Sequence, residues 1–104
     1  MSRSIIGMLS FIALAALSSA AVATDAANGE TLAKRWCADC HVVASDQQRG
    51  STQAPPFSVI GDKPGFDSGK LALFLLEPHP KMPNMNLSRN EANDLAAYIA
   101  VQGK

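Results

Sequence analysis

The chain has 104 residues, 47% apolar and 17% charged, and its nine basic side chains are matched by nine acidic ones. That length holds one domain, and a formal net charge of zero supplies neither the basic face of a nucleic-acid binder nor the acidic run of a disordered tail. Two cysteines are too few for a secreted module stapled by several disulfides.

The chain begins with the pattern of an export signal. Arg3 is the sole charge before Asp25, residues 5–17 are almost continuously apolar, and a run of small residues ends in Ala21-Val22-Ala23. A positive start, a short apolar middle and an A-x-A end mark a cleaved secretory signal. A membrane span needs about 20 apolar residues, more than this run supplies before its serines. Residues 1–23 are therefore expected to be removed, leaving a single domain, 24–104, with no membrane span. No cysteine follows the apolar run to take a lipid anchor. A domain of that size seldom builds enough core from side chains alone and calls for a staple or a large apolar cofactor.

Three helical patterns follow, and period-2 alternation of the kind that marks strands is missing. The first covers about residues 26–37, with Asp25 or Asn28 as cap. Leu32 and Trp36 share one face there, with Ala33 and Cys37 beside them. The second covers about residues 68–77 and is apolar nearly all round through Leu71, Leu73, Phe74, Leu75 and Leu76. Pro78 restricts Glu77 and ends it. A helix greasy on every side must be covered on every side. The third opens on the S-x-x-E box Ser88-Arg89-Asn90-Glu91 and carries Ala92, Leu95, Ala96 and Ile99 as one stripe to about residue 101. Residues 43–65 and 78–87, punctuated by Pro, Gly and Asn, are read as irregular.

The chemistry lies in Cys37-Ala38-Asp39-Cys40-His41, a C-x-x-C-H run. On a helical turn, thiols three residues apart project from the same side and can bond to two carbons on one edge of a haem. His41, next to Cys40, then offers a neutral imidazole to the iron. The competing readings fit less well. A thioredoxin-like dithiol would sit in a strand-helix-strand context, a zinc site would need four ligands, and a simple disulfide would not need the histidine. A haem iron of this type takes Met, a second His or nothing on its far side. The candidates are His79, Met82 and Met85. Pro80 and Pro83 stiffen the backbone around Met82, which favours its thioether as the sixth ligand. The alternative for the methionines is gap-filling in a core.

With these motifs the chain resembles the class I, mono-haem cytochromes c, in particular the small bacterial periplasmic members, over about residues 28–101. Gly29 stands eight residues before Cys37 as the family's helix-packing glycine does, Lys81-Met82-Pro83 is similar to its axial-methionine segment, and Leu95 and Tyr98 match packing positions of its last helix. The resemblance also implies that in Ala54-Pro55-Pro56-Phe57 the carbonyl of Pro55 accepts the proton on the outer nitrogen of the haem histidine, fixing its tautomer. One departure is Ala33, where the family often has an aromatic residue and where Trp36 is expected to supply the missing bulk. The fold implied is all-α, three main helices wrapped around one haem c joined through Cys37 and Cys40, with the apolar second helix covered by the porphyrin.

The function so implied is that of a periplasmic one-electron carrier with His41 and Met82 as axial ligands. It would be a monomer rather than an enzyme, docking briefly on a redox donor and a redox acceptor protein. Alternatives are a dedicated haem subunit of a larger periplasmic dehydrogenase and an open-site haem enzyme or gas sensor. Arg49, Lys63 and Lys70 read as surface charges rather than propionate partners.

Overall fold

The computed structural model describes Gly7 and residues 24–47, 54–77 and 81–104. The expected signal segment, Arg49 and the sixth-ligand candidate His79 lie outside the described residues.

Four helices lie among the described residues: α1 (Ala26–Trp36), α2 (Phe57–Gly61), α3 (Ser68–Leu76) and α4 (Arg89–Gln102). There is no strand among the described residues. Each long helix starts where a side chain satisfies an otherwise orphaned amide. The Asp25 carboxylate accepts from Asn28 N–H (3.1 Å) and Asp67 from Lys70 N–H (3.1 Å). Ser88 and Glu91 form the reciprocal pair at the head of α4, with Glu91 N–H donating to Ser88 Oγ (3.1 Å) and Ser88 N–H to Glu91 Oε1 (2.9 Å). The ends differ by a residue from the periodic reading. α1 stops at Trp36 with Cys37 as its cap, α3 stops at Leu76, and α4 runs on to Gln102. Glu77 has already left the helix (ψ 143°), as the residue before a proline should.

α2 is a correction to the irregular reading of residues 43–65. Five residues are too few to display a helical period, so Phe57–Gly61 escaped the pattern. The short helix is held by its neighbours. Phe57 is buried, its N–H donates to Val42 O (2.9 Å), and the end of α2 lies against the end of α4. Gly61 and Gly103 meet there so closely that a Cβ on either would strike backbone.

The core forms where α1 crosses α4. Ala33, Leu95, Tyr98 and Ile99 are buried with Val43 and Phe57 in one cluster. At the crossing a Cβ on Gly29 would overlap the Asp94 carbonyl and lie 2.8 Å from Tyr98 Cβ, so only glycine lets the helices approach. The Asp94 carboxylate ties the same crossing from outside, accepting from Asp25 N–H (2.7 Å) and from Asn28 Nδ2 (2.9 Å). Trp36 does not supply bulk here. It is 43% exposed, with the Arg35 guanidinium 5.0 Å from its ring, and the volume beside Ala33 is filled by Val43, Phe57 and Tyr98. Trp36 thus parts company with Leu32, which is buried.

α3 packs on α4 through small residues, Ala72 against Ala92 and Ala96, flanked by Leu71 and Leu75. The rest of its apolar surface stays open. Leu73 is 64% exposed, and Phe74 and Leu76 are exposed as well. Leu71, Ala72 and Leu75 form the face of this helix that packs on the core.

Candidate functional site

The C-x-x-C-H segment continues α1 as a turn. Cys37 N–H and Ala38 N–H still donate to Ala33 O (2.8 and 3.1 Å), and the Cys37 carbonyl then accepts from Cys40 N–H (3.1 Å) and His41 N–H (2.8 Å). Cys37 is half-buried and Cys40 exposed, and they are not joined to each other by a disulfide. Burial, and secondarily the neighbouring Cys40, pushes the Cys37 thiol up to about 11.

His41 is set from two directions. Its Nδ1 lies 2.6 Å from the carbonyl oxygen of Pro55. A carbonyl can only accept, so Nδ1 carries the hydrogen and the lone pair of the neutral ring is on Nε2. The Phe57 ring stands 5.3 Å away at 50°, and Phe57 in turn meets Tyr98 edge-on at 6.3 Å. Tyr98 Oη donates to Val43 O (2.6 Å), two residues beyond the histidine.

Met82 and Met85 lie on the loop of residues 81–87 that leads into α4, and both are half-buried. Asn86 adopts a left-handed φ of 49° there, and its N–H donates to Asn84 Oδ1 (3.1 Å). Lys63 and Lys70 are exposed. The structure thus brings Cys37, Cys40, His41 and Pro55 together and puts the methionines on a separate segment. Two contributors have no signal in the sequence. Phe57 is read there only as part of a proline-rich segment. Gln47 sits in a polar stretch, yet its side chain accepts from Val43 N–H (2.8 Å) and donates to His41 O (3.0 Å) and Ala38 O (3.2 Å).

These residues fit a covalently held haem. Two thiols share one turn, the imidazole offers an unprotonated nitrogen, and Leu73 and Leu76 present apolar surface beyond what the polypeptide covers. No helix among the described residues is long and apolar enough to cross a membrane.

Comparison with known proteins agrees with this chemistry. The family model for cytochrome c matches residues 26–102. The chain is 55% identical over 93 residues to cytochrome c-552 of Bradyrhizobium diazoefficiens, an alignment covering 89% of each chain. No solved structure matches. Match and geometry together place the chain in the cytochrome c family, with its all-α fold and a haem c held through a cysteine pair spaced as Cys37 and Cys40 are.

Proposed function

We propose that this haem c electron carrier works in the periplasm with His41 and Met82 as its two axial ligands. Bound haem supplies an iron that alternates between the ferric and ferrous states by one electron. The protein's part is to hold it. Cys37 and Cys40 would hold the ring through thioethers, and Pro55 keeps the His41 hydrogen on Nδ1, which leaves Nε2 free to bind the metal. Met82, beside Pro83, would supply the second ligand through its thioether.

The observation that carries this reading is the 2.6 Å contact between His41 Nδ1 and Pro55 O, which fixes the ring and supports His41 as a ligand. With His41 and Met82 both bound, the iron would have no open site for a substrate, and the chain would pass electrons rather than transform a molecule. Donor and acceptor are other redox proteins, met in short-lived docking by a monomer. The near-balanced charge favours local contact over long-range steering. Location follows from the export pattern of residues 1–23.

The test is the absorption spectrum of the exported holoprotein and its Met82→Ala variant in both oxidation states. The parent is expected to have the sulfur-to-ferric-iron band and to resist carbon monoxide when reduced. Met82→Ala is expected to lose the band and bind the gas rapidly. A variant spectrum identical to the parent's would move the sixth ligand to Met85 or His79. Rapid gas binding by the parent would replace the carrier reading with an open-site haem protein.

A further inference from the structure

We propose that Gln47 is a positioning residue for the haem histidine, a three-point clamp that fixes the main chain of the C-x-x-C-H turn. The inference rests on His41 being the iron ligand, as proposed above.

A glutamine carboxamide has two donor hydrogens and one acceptor oxygen, and here all are engaged. Oε1 accepts from Val43 N–H at 2.8 Å, while Nε2 donates to His41 O at 3.0 Å and to Ala38 O at 3.2 Å. The three partners bracket the ligand, one inside the C-x-x-C loop, one the histidine's own carbonyl, one two residues beyond. All are backbone groups outside any helix, the class of group that must find a partner when taken from water.

The clamp complements the contacts on the ring. Pro55 holds the imidazole by Nδ1, but a ring held at one atom can still swing if its Cα moves. Gln47 removes that freedom by joining His41 O to the segment that follows it. This segment is itself pinned to the core, because Val42 O accepts from Phe57 N–H (2.9 Å) and Val43 O from Tyr98 Oη (2.6 Å). Gln47 is half-buried, and its own N–H donates to Ala44 O (3.2 Å), so the clamp stands on a fixed base. Ala38 O is the remaining point. Holding it sets the loop between the two cysteines and hence the spacing of the thiols before they react.

Two variants separate positioning from plain stability. Gln47→Glu keeps the acceptor for Val43 N–H but, when ionised, has no hydrogen to give to His41 O or Ala38 O. Ser88→Ala removes the remote cap of α4 and serves as a control of comparable stability loss. The exported parent and both variants are compared by intact mass for haem joined at two sites, by haem-methyl resonances of the ferric protein, and by reduction potential. In Gln47→Glu the doubly attached fraction is expected to fall about tenfold, the lower end of what losing an outer partner of a ligating histidine costs. The methyl pattern and potential of the material that matures are expected to shift, because the imidazole plane rotates. Ser88→Ala is expected to change neither. Gln47→Glu with parental attachment, methyl pattern and potential overturns the proposal, even if it melts earlier. A parent whose mass is that of bare polypeptide, or whose spectrum lacks an axial histidine, instead defeats the reading on which it rests.

Discussion

At the scale of single residues, Tyr98 joins structure and site most directly. Its ring meets Phe57, which stands against His41, and its hydroxyl donates to Val43 O at 2.6 Å. Val43 is itself buried, so Tyr98→Phe leaves a carbonyl without its partner where water is scarce. Such an orphaned group costs about 1–3 kcal/mol, measurable as a lower denaturation midpoint of the holoprotein with an unchanged m-value. The same residue gives the fold a pH dependence. Burial, and after it the nearby Glu30, raises the phenol above its ordinary 10.0. A raised acid releases its proton more easily from the unfolded chain. Its contribution is therefore complete below pH 10 and lost as pH climbs through the higher folded value. Denaturation midpoints taken across that alkaline range should fall less steeply in Tyr98→Phe than in the parent. Parallel slopes would mean that the hydroxyl is not the group being titrated.

At the scale of helices, the approach of α1 to α4 is set by Gly29. Alanine is favoured over glycine by about 1 kcal/mol in a helix interior, so propensity alone would make Gly29→Ala stabilising. Contact decides otherwise. The added methyl would overlap the Asp94 carbonyl, which is backbone and cannot rotate away, and would crowd Tyr98 Cβ. Overpacking of this kind costs about 1–3 kcal/mol, so the net effect on the holoprotein's thermal midpoint should be a fall; a rise would mean the helices can part at little cost. This contrast explains what the sequence made legible. Caps at Asp25 and Ser88 and the stripe Ala92, Leu95, Ala96, Ile99 depend on residues within two turns of one another, and they stand where the pattern puts them. The C-x-x-C-H turn is local in the same sense. By contrast, α2, the Gln47 clamp and the displacement of Trp36 from the crossing depend on which distant segment arrives alongside. Gln47 has no periodic neighbour to betray it, and Phe57 becomes a core residue only because Val42 O and Tyr98 meet it. The contact between His41 and Pro55 spans 14 residues, and family resemblance, not any periodicity, is what points to such a pair in the sequence.

At the scale of the whole molecule, the question is whether the polypeptide suffices for its own fold. The main buried cluster is small, with Leu95 and Val43 its largest fully buried side chains. α3 contributes only Ala72 fully to the interior and leaves Leu73 64% exposed. A nine-residue helix is marginal in water on its own and depends on packing for its stability. Here packing among the described residues is three alanines with Leu71, Leu75 and Leu87, which also touch the main cluster. A porphyrin laid against α3 would bring its apolar surface out of water at about 25 cal/mol per Å², and two thioethers would tie it to the end of α1. We therefore predict that the exported chain without attached haem is largely unfolded. The Cys37→Ala/Cys40→Ala double variant should have weak far-UV helical ellipticity and no cooperative melting transition, whereas the holoprotein should have both. α1 and α4 are the elements able to resist this outcome, since the Gly29 crossing and the Asp94 bonds need no cofactor. Residual helicity without cooperativity would fit that pair surviving alone. A sharp transition with native-like ellipticity in the double variant would instead mean that alanine packing and three helix caps hold the domain, and that haem occupies a fold already made.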